Sequence, residues 1–556
     1  MVNDTVSRLI DDFQAKKINR RQLVQGAAAA GVSATAITAM AGISASPASA
    51  QSGTAIQLGR ESEFSPNFNV FKISTGGQTQ VADMIFNRLI KLDNNLNWVG
   101  DIAESFEISD DATIFTFTIR DGITWHDGEP LTIDDVIFTY RSALTSEAGA
   151  GAAGKLRQIK GGTAFYNKES EEIEGLERVD DSTLRITLEN PNVAWLIGTA
   201  GSNSLLWIQP EHILGEIPVA DWDTAEAVQN PVVGSGPYQF VSYVADQHVE
   251  FTANPNYHLG EVQTEQLFLR LAEPATQLAQ LETGEVHMVS RLAAREADRL
   301  STSDVVDIIY TPGLGIFQTA VHTPNVPDKR VRQAMMYGTD RQALLDVVLL
   351  GQGELVFSSV IGPDWAVPTG LNTYDYDPEM AKSLLAEAEW DSEQTLQLTW
   401  SRGFINVELA APVFQQQMAE IGIKIELFPQ ETAAYLDAVI TNPNFDLAWF
   451  GGGSYRLDPD VSSNYYLCQN FTPGGGNTTH YCNEDLDALL FEGRGIADPE
   501  ARKPIYQEIA AILNEDVPTL FWWSDNQIFG ANKQLKGVQA GPNQYIWWNI
   551  QDWYLE

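Results

Sequence analysis

Apolar and polar positions alternate with period two over residues 113–120, Thr-Ile-Phe-Thr-Phe-Thr-Ile-Arg, predicting a half-buried strand that ends in the Asp121-Gly122 turn. A shorter alternation at 183–188, after the Asp180-Asp181-Ser182 turn, predicts a second strand. The spacing becomes helical over 133–141, where Thr132 is placed to cap and Asp134 and Asp135 occupy the first turn. Longer helices are predicted over 331–350 and 410–421, the latter passing through Gly422 into a strand at 423–428. The Gly/Ala-rich stretch 147–162 reads as a loop. A strand–helix–strand rhythm in the second half predicts an open sheet flanked by helices, with ligand sites outside the strand ends.

A chain of 556 residues with 44% hydrophobic content exceeds one ordinary core and divides into two or three domains. The net charge of −40 argues against non-specific binding to nucleic acid or anionic lipid. The adjacent arginines of Asn19-Arg20-Arg21-Gln22-Leu23 precede a mild, uncharged Gly/Ala/Thr stretch that ends at Ala48-Ser49-Ala50. That pattern resembles a Tat-type export signal over residues 1–50, with Gln51 as the first mature residue. No cysteine follows it, so no lipid anchor is expected; the mature chain is expected to be soluble, in the periplasm or outside the cell.

Catalytic patterns are weak. His126 and Asp127 are sequence neighbours without a nucleophile motif, so a structural role is preferred to a general base. The seven histidines show no H-E-x-x-H spacing, and G-x-S-x-G is missing. Residues 149–156 imitate a Walker A loop as far as Lys155, but Leu156 replaces the Mg²⁺-binding Ser/Thr. Neither a cofactor nor a metal is expected, and the chain is read as a non-enzyme.

Five segments, in order along the chain, resemble the family 5 solute-binding proteins of ABC importers, the dipeptide/oligopeptide/nickel type. They are Ile102-Ala103-Glu104-Ser105-Phe106 through Ile119-Arg120-Asp121-Gly122-Ile123-Thr124-Trp125-His126-Asp127-Gly128-Glu129-Pro130; Gly234-Ser235-Gly236-Pro237-Tyr238 with Asn254-Pro255-Asn256-Tyr257; Leu281-Glu282-Thr283-Gly284-Glu285-Val286-His287; Asp328-Lys329-Arg330-Val331-Arg332-Gln333-Ala334; and Ile421-Gly422-Ile423 with Phe445-Asp446-Leu447-Ala448 and Asp458-Pro459. His287 stands where the family usually has Asp.

The resemblance implies an α/β, two-lobed periplasmic-binding-protein fold, the large three-subdomain form of type II, with a hinge between lobes. Lobe I is expected at 51–311 plus 521–556, with a subdomain inserted near 76–230, and lobe II at 312–520, with crossovers near Pro312 and Pro518. The implied function is capture of a peptide or similar solute and its delivery, unchanged, to ABC permease subunits by a monomer that binds no nucleic acid. An oligosaccharide or glycoside ligand, a secreted hydrolase, and a chemoreceptor adaptor are the competing readings. Peptide-binding members use an Asp for the peptide ammonium where this chain has Tyr455, and some use an Arg for the solute carboxylate at about the place of Arg402. The expected ligand-binding set is Arg402, Phe404, Trp449, Phe450, Gly451, Gly452, Gly453, Ser454 and Tyr455, with Trp365 as a further aromatic. Cys468 and Cys482 are expected to form a disulfide in an oxidising compartment.

Overall fold

The structure, a computed structural model, describes residues 55–60, 68–73, 76–200, 206–453, 455–541 and 545–556. The export signal expected over residues 1–50 lies outside the described residues.

The strand predicted from the alternation at 113–120 is Ile114–Ile119, one of the two inner strands of a four-stranded sheet with Ala103–Ile108, Thr183–Thr187 and Leu176–Arg178. Its apolar residues Phe115, Phe117 and Ile119 point into the largest core. Helix α1 (Ile133–Leu144) opens with a capping box: Asp134 N–H donates to the Thr132 hydroxyl at 3.2 Å, and Thr132 N–H donates to Asp135 Oδ2 at 2.8 Å. Such a cap stabilises a helix by about 1 kcal/mol.

Two of the sequence signatures meet here. His126 Nδ1 accepts from Gly234 N–H at 3.1 Å, which leaves Nε2–H to donate to Gly236 O at 3.1 Å. A Cβ on Gly234 would lie 2.1 Å from Ile85 O, so only glycine permits this approach. Burial holds the His126 imidazole down at about 4, and it is therefore a neutral brace. Asp127 turns away to His212 Nε2 at 2.9 Å.

Among the described residues, the largest sheet has twelve strands: β1 (Ala55–Arg60), β2 (Tyr238–Val244), β3 (His248–Ala253), β4 (Gln266–Leu271), β5 (Met288–Val289), β6 (Val306–Pro312), β7 (Ile316–Val321), β8 (Gly353–Leu355), β9 (Thr395–Ser401), β10 (Lys424–Gln430), β11 (Leu447–Gly452) and β12 (Thr519–Asn532). The order is β10-β9-β11-β7-β12-β5-β1-β4-β3-β2, with β6 and β8 also pairing with β12. The long β12 joins two halves of this sheet. Its Thr519–Trp523 portion pairs with β7, and Trp523–Asp525 with β8. Beyond that, Asn526–Asn532 pairs with β6 and Gly530–Ala531 with β5.

The helix predicted over 331–350 is two helices, α2 (Lys329–Tyr337) and α3 (Arg341–Leu349). The break falls at Asp340, whose ψ of 87° leaves helical backbone and whose carboxylate caps α3 by accepting from Ala343 N–H at 2.9 Å; Gly338, just before it, leaves room for Ile421, since a Cβ there would meet Cδ1 at 2.5 Å. Helix α4 (Ile405–Ile421) begins earlier than the apolar pattern suggests, and α5 (Pro499–Asp516) precedes β12. The stretch 147–162 is packed rather than loose. Ala148, Ala150, Ala152 and Leu156 are buried in the first core, and the aliphatic part of Lys155 lies over Gly198, where a Cβ would be 2.2 Å from its Cδ. The second core gathers around α4, with Phe414, Trp449, Trp522 and Trp523.

Candidate functional site

Strands β9, β10 and β11 run parallel and end at one edge of the sheet, at Ser401, Gln430 and Gly452. Strand β7 is antiparallel to β11 and begins at that same edge, with Ile316 opposite Gly452. Loops beyond the carboxyl ends of parallel strands are where open α/β sheets place ligands. The chain also crosses between the two halves of the sheet here. Gly313, Leu314 and Gly315 connect β6 to β7, and Gly313 N–H donates to Asp525 O in β12 at 2.8 Å. A Cβ on Gly315 would lie 2.4 Å from Gly452, so the two backbones touch.

The residues expected to bind ligand divide between this edge and the cores. Arg402 follows β9, its side chain 56% exposed and 3.4 Å from Glu431 Oε1. Phe404, just before α4, is exposed. Gly452 and Gly453 are exposed at φ +117 and +91, backbone that side chains disfavour, and Gly451 faces the Phe317 ring. Phe450 is half-buried against a cluster containing Tyr435, Val439 and Phe445. Ser454 lies outside the described residues.

Two aromatic residues do not fit the expectation. Trp449 is a core side chain, 5.3 Å from the Trp522 ring centroid and edge-on to Phe414 at 6.1 Å. Tyr455 is buried, stacked on Tyr465 at 5.5 Å, and its hydroxyl accepts from Gln318 Nε2 at 3.2 Å. Burial pushes its pKa well up, so it supplies no charge. Trp365 is half-buried beneath the Arg502 guanidinium at 5.2 Å. Cys468 and Cys482 are joined by a disulfide with Cα atoms 4.8 Å apart.

Several residues at the crease escaped the sequence reading, because each becomes informative only through distant neighbours. Arg456 Nε donates to Gly313 O at 2.7 Å, Nη1 donates to Ile361 O at 3.3 Å, and Nη2 pairs with Glu354. Burial lowers its pKa. One residue on, Leu457 joins Leu314, Leu92 and Ile197 in a buried apolar cluster, flanked by Leu96, Trp98 and Tyr545. That cluster joins segments far apart in the chain beside Gly313 and Gly315. Asp458 is clamped by Arg502 in a bidentate pair at 2.6 and 2.8 Å. Farther along the seam, Val193 N–H donates to Arg494 O at 3.0 Å and Ala497 N–H to Asp110 O at 3.2 Å.

Comparison with known proteins agrees with this geometry. Residues 97–473 match the family model for bacterial extracellular solute-binding proteins, family 5, middle region. A Brucella ovis protein, provisionally named an ABC transporter peptide-binding protein, is 31% identical over 501 residues, covering 86% of this chain and 88% of its own. The oligopeptide-binding protein AppA of Bacillus subtilis is 26% identical over 506 residues, covering 88% of this chain and 89% of its own. Among solved structures, AppA with a nonapeptide matches with a TM-score of 0.72 at 24% identity, over 91% of this chain and 99% of that one. The substrate-binding protein CtaP of Listeria monocytogenes matches with a TM-score of 0.77 at 24% identity, over 90% and 99%. Both structural matches establish the periplasmic-binding-protein fold.

Proposed function

Because this chain belongs to family 5 of the bacterial extracellular solute-binding proteins, we propose that it captures a peptide and delivers it unchanged to the membrane subunits of an ABC importer. The observation that carries the reading is the shared edge of β9, β10 and β11, where Arg402, Phe404 and the exposed glycines 452 and 453 lie together beside the crossing strands. Those groups suit a peptide. A guanidinium can pair bidentately with a carboxylate, glycine backbone can approach another main chain, and an exposed ring can cover a side chain.

Capture would work by closure of two lobes about the crease, with ligand contacts favouring the closed state. Lobe I would comprise 51–311 and 526–556, with a subdomain near 76–230, and lobe II 312–525. The pairing of β12 with β8 as far as Asp525 favours this later second crossover over one near Pro518. The twin-arginine leader supports export from the cytoplasm by the Tat route.

The reading is tested by purifying the protein under native conditions, releasing what it carries by denaturation, and identifying it by mass spectrometry. Peptides in stoichiometric amount are expected. Recovery of a sugar would replace the peptide reading with a glycoside one, and turnover of the bound solute would overturn the role of pure receptor.

A further inference from the structure

One end of the four-stranded sheet touches a distant part of the chain. The turn between Ala103–Ile108 and Ile114–Ile119 lies there beside the loop that follows Thr183–Thr187, and Asn192 N–H ties the two by donating to Ala112 O at 3.0 Å. Against this end packs the turn 495–497, which connects the helix Glu484–Arg494 to α5. The exchange is reciprocal: Val193 N–H donates to Arg494 O at 3.0 Å, and Ala497 N–H donates to Asp110 O at 3.2 Å. A Cβ on Gly495 would lie 3.3 Å from Pro191 Cβ, so the two loops meet closely. Asp110 and Pro191 are exposed. Main-chain bonds at a solvent margin exchange for water at little net cost, so such a contact can form and part.

The turn is bound far more firmly on its other side. Asp458 and Asp460, in the loop after β11, grip both of its flanks. Arg502 pairs with Asp458 and donates from Nε to Gly493 O at 3.1 Å. Arg494 Nη2 pairs with Asp460 Oδ2 at 3.2 Å, and the Tyr506 hydroxyl donates to Asp460 Oδ1 at 3.0 Å. Asp460 is buried, so pulling Arg494 away would strand its carboxyl. The turn therefore moves as one body with the loop that follows the exposed glycines 452 and 453.

We propose that this contact is a latch, made when the lobes close and parted when they open. It rests on the lobe division given above, which puts the four-stranded sheet in the inserted subdomain of lobe I and the turn in lobe II. The inserted subdomain supplies none of the residues grouped at the ligand edge, yet through the latch it biases the balance of open and closed forms. It thereby sets how fast a captured solute leaves, because contacts made only in the closed state favour that state whatever the ligand.

The test replaces the facing pair, Pro191→Cys with Gly495→Cys, whose Cβ separation is close to the about 3.5–4.5 Å of a disulfide. The chain, freed of carried ligand, is compared cross-linked and mildly reduced, with wild type in the same reductant as the control for the Cys468–Cys482 bond. Small-angle scattering is expected to give the reduced variant the larger radius of gyration. After loading with a mixed tripeptide pool, the cross-linked form is expected to release peptide at least tenfold more slowly than the reduced form, as followed by native mass spectrometry. Identical scattering of the two forms, or equal release, overturns the latch while leaving the peptide reading intact. If wild type retains no tripeptide, the peptide reading falls, and the scattering comparison, which needs no ligand, decides the latch alone. Should the double variant not fold, Pro191→Arg serves as a wedge at an exposed position. A larger radius of gyration in the unliganded chain is then expected, and an unchanged one overturns the latch.

Discussion

The buried pair Asp458–Arg502 offers a quantitative test, because it ties the loop after β11 to helix α5. The Arg502 side chain is 3% exposed and that of Asp458 13%. Arg502 spends every nitrogen: Nη1 and Nη2 on the carboxylate, and Nε on Gly493 O at 3.1 Å. Its planar group also lies over the rings of Trp365 at 5.2 Å and Tyr506 at 4.9 Å. Burial works against the charge, and Asp458 more than restores it, so the guanidinium is held above its ordinary value. Arg502→Met removes the cation but keeps most of the apolar volume. It strands Asp458 beside Asp460, a carboxyl whose pKa burial already raises.

Breaking one side of a buried pair typically costs about 3–5 kcal/mol, whereas replacing both sides can be close to neutral. In a cooperative unit of about 200 residues, where each kcal/mol shifts Tm by roughly 2–4 °C, that amounts to a fall of roughly 10 °C in Arg502→Met. Scanning calorimetry of Arg502→Met, Asp458→Asn and the double variant measures it. The double variant is expected to be less destabilised than Arg502→Met alone. Additivity of the two single losses within about 0.5 kcal/mol would refute the pairing argument, as would an unchanged Tm in Arg502→Met.

Arg402→Ala is expected to weaken binding of a peptide with a free carboxylate at least tenfold, about 1.4 kcal/mol by calorimetric titration, and unchanged affinity would remove Arg402 from the site. Leu457→Ser places a hydroxyl in the apolar seam with Leu314, Leu92 and Ile197, forfeiting about 1.5–3 kcal/mol of burial, part of it available only when the halves are closed. Small-angle scattering of the unliganded variant should therefore report a larger radius of gyration, and an unaltered profile would make the seam part of a rigid core. His287 is buried with Nδ1 accepting from Gln57 N–H at 2.9 Å, and burial lowers its pKa to about 4. Because the folded value lies below the ordinary 6.5, the stability it contributes is complete above pH 6.5 and is lost as pH falls from there towards 4. At pH 4.5 that loss is about 2–3 kcal/mol by linkage. Denaturation of His287→Asn at pH 7 and pH 4.5 should show an acid loss smaller by that amount, and an identical loss would exonerate the imidazole.

The elements most legible in the sequence were those whose signal is local. Period-two alternation located Ile114–Ile119, and a Thr followed by two acids located the start of α1. The ordered motifs were enough to point to the family. Where a distant side chain intervened, local reading failed. The single helix expected over 331–350 is broken at Asp340, which leaves helical backbone and caps a second helix, and the Gly/Ala stretch at 147–162 is packed because its small side chains fit beneath the first core.

For the site the balance was different. The family resemblance pointed to Arg402, Phe404 and the glycine run as ligand contacts; Arg402 and Phe404 follow β9 and the glycines close β11, at one edge of the sheet. Trp449 and Tyr455, both expected against ligand, are core side chains, since the sequence does not say which side of a strand meets Trp522 or Tyr465. Glu354 and Arg456, paired at the crease, carry no motif at all. Period and capping act over a few residues and are therefore written in consecutive letters. A crease is assembled from segments far apart in the chain, so its ion pairs and buried polar groups take their character only after those segments have packed.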